Sequence, residues 1–495
     1  VADIAVIGAG MGGMAAAARL SVAGHRVVVY ERADTFGGGV RRYERAGFGF
    51  DTGPGLLVLP AVYRDLFVKT GRESLEDRLR LTRLEPVARH HFADGTIVTL
   101  PASHGGVRGA LDAALGAGTG ARWSELLDRA RTTWEATRRP LLEEPLSSAP
   151  AATGGAGAGQ EPRRDPYPAM RRRGLLRRRP PTLAEVAADE LRDPRLVALL
   201  GSHALAHGLL PERTPASAAV LAYLEQTFGC WYVAGGMRAL AQAVYERCTT
   251  RGVDFRFGTG VARVRDRDGR AAGLELTDGR TVPADLVVRA GGGPELGADQ
   301  ASGVDGPNRF GDALAEAHPA ARAGRSASAR FTVLLALRGA RPYDTPHRTV
   351  VHDARHTVTV LRPDDPLLRP DDAHESVVLS VPVREPVVAP ETLAEELLAV
   401  VDDAGLGLRE RELWRVVRTP ADNAAETGTP GGLVPAPALA GGDGAFLRPA
   451  NRTPLDGLYL AGGWAHPGGG LAHAGMSGAL VAGLIVAGDD WRGSS

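Results

Sequence analysis

Read for apolar periodicity, the chain opens with Ile4, Val6 and Ile7, a short apolar run with the character of a buried parallel strand. Ala15 to Leu20 continue as helix formers, Gly24 stops the helix, and Val27 to Tyr30 form a second strand-like run ending at Glu31. "FGFD" before residue 52 is also strand-like. Further along, "VARHHFADGTIVTLP" (87–101) predicts two strands around Asp94-Gly95, a hairpin signal. The stretch 231–290 reads as loop, amphipathic helix, strand, hairpin and strand. "SASARFTVLLALRGA" and "SVVLSVPVRE" read as further strands, with a helix around Thr392 to Asp403. Residues 448–485 predict a strand, a glycine-rich turn and an apolar helix. Strand–helix–strand units combined with mixed segments indicate an α/β protein.

Length and composition narrow this picture. A chain of 495 residues can bury a large core and suggests two or more domains. Its 58 basic and 58 acidic residues cancel, so no overall field recruits nucleic acid. Lys69 is the single lysine, which with 64 Gly and 34 Pro fits a GC-rich bacterial genome. Two cysteines, Cys230 and Cys248, supply neither a disulfide framework nor a cysteine-rich metal site and fit a reducing cytosol. The longest apolar run near the end, Ala479 to Ala487, falls short of a membrane span. Opening directly on a strand, the chain is expected to lack a signal peptide.

The first chemistry lies between the two opening strands. Gly8, Gly10 and Gly13 stand in G-x-G-x-x-G spacing, with Gly12 inside the motif. Gly8 suits a tight turn, Gly10 a close approach of backbone to a pyrophosphate, and Gly13 close packing of helix on strand. The helix N-terminus offers free N–H groups to phosphate. Glu31, at the end of the second strand with Arg32 beside it, can accept hydrogen bonds from ribose hydroxyls. These residues predict a dinucleotide site, and they suit NAD and FAD equally.

The segment "ERADTFGGGVRRYERAGFGFDTGPGLLVLP" (31–60) adds the glycine pair Gly37-Gly38, then Gly53-Pro54-Gly55. It resembles the flavoprotein superfamily that includes amine oxidases, Rab escort proteins and phytoene desaturases, in which the glycine pair lies against the FAD phosphates. That family usually has an arginine directly after the pair. Here Gly39 stands there, and Arg41 or Arg42 is the candidate replacement. Trp231-Tyr232 with Gly235-Gly236-Met237, then Gly260-Val261, Asp278-Gly279 and Asp285, resemble phytoene-desaturase-like proteins more closely. The resemblance implies that Val261 pairs its backbone with adenine. "VTVLRPDDPLLRP" (358–370) resembles the family's P-x-x-x-D-P stretch. "GLYLAGGWAHPGGG" (457–470) is similar to its C-terminal signature, which puts Gly462, Gly463 and Gly470 against the flavin.

The resemblance implies an FAD-binding domain of Rossmann type, built from 1–75, 228–300 and 440–495, with an interleaved α+β substrate or cap domain from 76–227 and 301–439. Residues 147–168, small, polar and Pro/Gly-rich, are expected to form a flexible loop. The implied activity is FAD-dependent desaturation of an apolar isoprenoid or polyene, by hydride transfer to the flavin. No second G-x-G-x-x-G links a strand to a helix, so oxygen or a quinone is the expected electron acceptor. A flavin amine oxidase and a non-catalytic lipid-escort protein are the alternatives. An aromatic content of 5% gives no sign of an aromatic cage for amines.

The remaining candidates are histidines and arginines. The resemblance brings His466 and His473 to the flavin; His466 is expected as a contact and His473 as a catalytic acid or base. His203 and His207, spaced i, i+4, lack the carboxylate of a zinc motif, so no metal is expected. His347, His352 and His356 read as surface or substrate-domain residues, and Cys230 as a small buried one. Six arginines between Arg171 and Arg179 could dock on anionic lipid headgroups, which would place a cytoplasmic protein at the inner face of the membrane.

Overall fold

The computed structural model describes residues 1–146, 161–170, 179–291, 327–384, 386–488 and 491–493. Strand β1 (Asp3–Ile7) lies at the centre of a five-stranded, wholly parallel sheet. On one side it pairs with β2 (Arg26–Tyr30), which is followed by Asp254–Arg256. On the other side it pairs with Leu286–Arg289, followed by Leu458–Leu460. Segments far apart in sequence thus share one sheet, whose carboxyl ends converge on one edge.

Helix α1 (Met11–Val22) joins β1 to β2, and all its residues from Met11 to Leu20 except Arg19 are buried. Such a helix has no solvent face and must be covered on both sides. The sheet covers one side and the C-terminal helix Leu471–Ala487 the other. Their axes approach closely because the contact is built from small residues. A Cβ on Gly478 would lie 2.5 Å from the Gly12 carbonyl oxygen and 2.8 Å from Ala15 Cβ. The opposite face of the sheet packs Ala5, Tyr30, Val287 and Leu458 against the antiparallel strands Val261–Arg267, Arg270–Leu276 and Thr281–Pro283.

A second, seven-stranded sheet is ordered Glu412–Arg418, Ala329–Arg338, His374–Val383, Thr357–Leu361, Arg348–His352, Ala88–Phe92 and Ile97–Leu100. The last two strands are the hairpin predicted at Asp94-Gly95, with Gly95 in the left-handed region at φ 83°. Strand Ala329–Arg338 shows the alternation of a sheet with two different faces. Phe331, Val333, Leu335 and Leu337 pack under helix Pro390–Asp403, while Arg330 and Thr332 line an internal cavity on the other side. Among the described residues, five α-helices between His104 and Phe228 close over that cavity around their own apolar core.

Part of the expected loop 147–168 is packed. Its residues 147–160 lie outside the described ones. Beyond them Tyr167 is buried and donates its hydroxyl to Glu190 (2.7 Å), and Asp165 accepts the backbone N–H groups of Tyr167 and Ser217. Burial pushes the Asp165 carboxyl up to about 6, with those two N–H groups opposing. Arg171 to Arg178 also lie outside the described residues; Arg179 pairs with Glu185 at 2.8 Å.

Candidate active site

A cavity of about 830 Å³ runs from the carboxyl edge of the parallel sheet to the face of the seven-stranded one. Its first part is the glycine cradle. Gly8 holds φ 98° and donates to the Tyr30 carbonyl at 2.8 Å, while Gly37 donates to the Ala9 carbonyl at 2.8 Å. Glu31 ties the same loop together, accepting the Ala9 N–H (2.7 Å) on one oxygen and the Ala33 N–H (2.9 Å) on the other. Each oxygen keeps a lone pair for a further donor.

The glycines divide by what a side chain would meet. At Gly13 a Cβ would lie 2.2 Å from the Gly8 carbonyl oxygen, at Gly12 2.6 Å from Gly462 Cα, and at Gly53 2.0 Å from the Gly39 carbonyl oxygen. Those three are demanded by the protein's own packing. Gly10 is different: the nearest atom to its Cβ position is Gly38 Cα at 3.9 Å, and its φ is an ordinary −73°. Nothing in the fold requires glycine there, so the open space in front of Gly10 suits a ligand's close approach. Gly12, Glu31, Arg32, Gly37, Gly38, Arg41, Gly53, Val261, Gly462, Gly463 and Gly470 also line the cavity; Gly13 does not.

Of the two candidate arginines after the glycine pair, Arg41 faces the cradle. Its Nε donates to the Gly38 carbonyl (3.0 Å) and its Nη2 to the Glu426 carbonyl (3.2 Å). Arg42 turns away, onto Glu44 (2.9 Å) and the Leu367 carbonyl (2.7 Å). Two further guanidinium groups were missed from the sequence. Arg238 bonds Thr35 (2.6 Å) and the carbonyls of Phe36 and Val40, fixing the glycine-pair loop, with burial and Arg41 both lowering its pKa. Arg289, level with Ile7 at the sheet edge, lines the cavity without an ion-pair or hydrogen-bond partner for its side chain among the described residues. Burial lowers its pKa. Its only sequence signal is a cation at the end of an apolar strand.

Two carboxylates knit the separated motifs. Asp51, at the end of "FGFD", accepts the Met237 N–H (2.8 Å) and the Arg238 N–H (3.3 Å) at the start of helix Met237–Thr250. Burial outweighs those bonds and pushes it up to about 6. Asp365, in the "RPDDP" stretch, accepts the Tyr232 hydroxyl (2.7 Å) and the Gly235 N–H (2.6 Å). The glycines of "AGGM" are thereby anchored from two sides.

The C-terminal turn separates the two expected histidines. His466 is fully buried and absent from the cavity wall; its Nε2 pairs with the Glu144 carbonyl at 2.9 Å. Burial pushes it down to about 4, with the Glu144 carbonyl opposing. In this structure the imidazole, expected as a flavin contact, braces the turn. His473 does line the cavity, as does His207, and both rings approach Gly470. Burial, with His207 and His466 adding to it, pushes His473 down to about 3. A group so low is a neutral imidazole near pH 7, not a base matched to that pH.

The far part of the cavity combines apolar walls with a buried ion pair. Leu56, Val58, Leu221, Leu224 and Val350 face it. Arg348 grips Glu225 with two N–H groups, one at 3.0 Å, and His203 stands 3.5 Å from the same carboxylate. Burial works to raise the Glu225 pKa, but Arg348 and His203 override it and leave it well below the carboxylate range. His203 and His207 thus both face the cavity, and no group of three or more potential metal ligands occurs among the described residues. Of the histidines expected as surface or substrate-domain residues, His347 and His352 are both interior. His347 lines the cavity beside the Tyr232 ring, and His352 bonds His90 at 2.9 Å. Cys230 is buried and its thiol pushed up to about 12, which leaves it inert as a nucleophile.

This cradle and chamber define a flavin-dependent oxidoreductase: the family model of flavin containing amine oxidoreductases matches residues 11–322, and the chain belongs to that family. Within it the chain is similar to carotenoid desaturases. It is 31% identical to the hydroxyneurosporene desaturase of Cereibacter sphaeroides over 515 aligned residues, covering 98% of both chains. The phytoene dehydrogenase of Streptomyces griseus is 33% identical over 301 residues, 58% of this chain and 54% of that one. An oxidoreductase from Methanosarcina mazei shares the fold, with a TM-score of 0.65 at 18% identity, covering 97% of this chain and 99% of that one.

Proposed function

We propose that the protein binds FAD and desaturates an apolar polyene. The observation that carries this reading is one continuous cavity, with a phosphate-ready glycine cradle at one end and a largely apolar chamber at the other. Open space at Gly10, a carboxylate at Glu31, and Arg41 and Arg289 without carboxylate partners among the described residues fit a dinucleotide's diphosphate and ribose. Bound there, FAD would supply the hydride acceptor, so that one C–H leaves as hydride, its neighbour as a proton, and a C=C bond forms. Oxygen or a quinone is the acceptor that reoxidises it.

The chain's own part is to position the substrate and exclude water. The strands of the parallel sheet, with the turn at 461–470, hold the cofactor. The seven-stranded sheet and the helices between His104 and Phe228 hold the substrate. His473 serves as a neutral hydrogen-bonding group at their junction. The amine-oxidase alternative is the weaker. Glu225, the carboxylate at the chamber wall, is already neutralised by Arg348, and Arg330 adds a further positive charge there. An ammonium would enter an uncompensated cationic field. Among the described residues no helix is long and apolar enough to cross a membrane. Delivery from a membrane surface, through the arginine run 171–179, is the route we propose for so apolar a ligand.

Anaerobic mixing of the holoprotein with detergent-dispersed polyenes or with simple amines tests the reading. Bleaching of the flavin absorbance by a polyene is expected. Bleaching by amines alone would overturn it.

A further inference from the structure

Behind the wall of the substrate chamber lies a second, much smaller cavity of about 20 Å³. It sits where helix Thr119–Arg138 and the turn after it meet helix Val220–Phe228 and the segment 437–440. Leu141, Leu142, Val220, Ala438 and Leu439 give it apolar walls. Leu221, Leu224 and His473 line both cavities, so these three side chains form the partition between them. The hydroxyls in the wall are already committed. Thr137 donates to the Thr133 carbonyl (2.8 Å) and Ser217 to the Ala440 carbonyl (2.6 Å). A space of this size has room for one water, but a buried water needs two to four polar partners, and a cavity without them stays dry. On its outer side stands Trp134, half-buried and edge-on to Phe228, which is 38% exposed. An unfilled space forfeits dispersion contacts along its lining, so the stability of the fold does not ask for it.

Resting on the flavin part of the reading above, we infer that this cavity is a dioxygen site, one side chain's depth from the chamber, and that oxygen and not a quinone reoxidises the flavin. Size and polarity select the ligand. A diatomic gas without hydrogen-bonding groups fits the space of one water and gains by leaving water for apolar walls. A quinone ring cannot enter, and would have to reach the flavin through the chamber that the polyene occupies. His473 stands beside Gly470, its Nδ1 3.5 Å from where a Cβ on that glycine would lie, in the turn and helix start that hold the cofactor. A guest that slips past His473 or Leu224 therefore meets the reduced flavin while the polyene is still bound. The reduced flavin gives up the hydride it took from the substrate, as two electrons and one proton. The proton shed by the neighbouring carbon is the second. Dioxygen becomes hydrogen peroxide with its O–O bond intact, the flavin returns to the oxidised form, and the substrate keeps its new C=C bond.

Two measurements on the holoprotein test this. Dissolved oxygen is paramagnetic and speeds the relaxation of methyl groups beside it. In leucine-labelled protein the methyls of Leu141, Leu142 and Leu439 should relax severalfold faster under oxygen than those of Leu20 and Leu240, which are buried in the core of the parallel sheet. Uniform relaxation would overturn the inference without any variant. In the second measurement the flavin is photoreduced without substrate and mixed with oxygen or with ferricyanide. Ala438→Val adds two carbons to a space the size of one water, and should slow reoxidation by oxygen about tenfold while leaving the ferricyanide rate unchanged. A flavin-replete Ala438→Val protein with the wild-type oxygen rate would overturn the inference, and so would equal slowing with both oxidants. Should valine not be accommodated, Leu141→Ala decides: it enlarges the cavity and should leave the oxygen step at least as fast, and a slower step would count against the site. A wild-type flavin that a quinone reoxidises and oxygen does not would strike this inference and leave the polyene reading standing. Bleaching by amines alone would strike the polyene reading and leave this inference, because the oxygen step is measured without substrate.

Discussion

Replacing Gly10 with alanine should change cofactor binding and protein stability in opposite directions. In the structure a Cβ at this position meets nothing closer than Gly38 Cα at 3.9 Å, an ordinary contact, and the backbone sits at φ −73° and ψ 171°, which any residue adopts. The flavin-free fold therefore has room for the methyl group. Removing a glycine from the unfolded chain stabilises by about 0.4–1 kcal/mol where the native conformation is compatible, so the apoprotein should melt at the same temperature or slightly higher. The holoprotein meets the methyl group where the diphosphate must approach the backbone. An intruding carbon in a close contact costs roughly 1–3 kcal/mol, which is about 5- to 150-fold in dissociation constant. Apoprotein prepared without flavin would be titrated with FAD by fluorescence quenching and melted in parallel by calorimetry. Unchanged affinity for FAD would show that the phosphates lie elsewhere. A large loss of apoprotein stability would show that Gly10 answers to the fold, as Gly13 does with its Cβ position 2.2 Å from the Gly8 carbonyl oxygen.

Three further outcomes follow from the site's charges. Arg289→Gln should weaken FAD binding by about tenfold or more at low salt, the worth of a charge-assisted hydrogen bond, and less at high salt; equal affinity at low salt would remove Arg289 from the cofactor site. Glu225→Gln strips Arg348 of its counter-charge and should destabilise the protein by roughly 3–5 kcal/mol in urea unfolding, with Glu225→Gln/Arg348→Met recovering most of it; a double variant no better than the single one would refute the pairing. His207, His347, His352, His466 and His473 are pushed to about 4, 3, 4, 4 and 3, so the unfolded chain takes up protons first and stability falls with pH below about 6.5. Between pH 7.5 and 6 this amounts to about 0.8 kcal/mol per histidine, roughly 4 kcal/mol together. Asp51 and Asp165, raised to about 6, are half protonated in the folded state by that pH and offset roughly 0.8 kcal/mol of this loss. A urea midpoint that holds or rises over this interval would contradict the burial of these rings.

Local chemistry was readable wherever it depends on neighbours in sequence. The apolar run Ile4–Ile7, the turn at Gly8 and the second strand ending at Glu31 form one strand–helix–strand unit, because each step is decided within a few residues. The hairpin at Asp94-Gly95 and the helix ending at Asp403 were legible for the same reason. Side-chain direction was not. Arg41 and Arg42 are adjacent, yet the strand that starts at Arg42 sends one guanidinium to the cradle and the other to Leu367. His466 and His473 share one turn and helix start, and only the packing of Glu144 against the turn shows that the first ring is a brace.

The helical layer between His104 and Phe228 was not assigned helix by helix, because its stability comes from a common apolar core and not from local signals. By itself, the sequence determined the class of cofactor site, the α/β character and the family resemblance, all of which rest on backbone requirements written into consecutive residues. Tertiary structure alone decided which arginines face the cradle, that His203, His207, His347 and Arg348 share one cavity, and that Leu221, Leu224 and His473 divide it from a smaller one. Those facts depend on strand register and on contacts between segments separated in sequence, and no local pattern of residues encodes them.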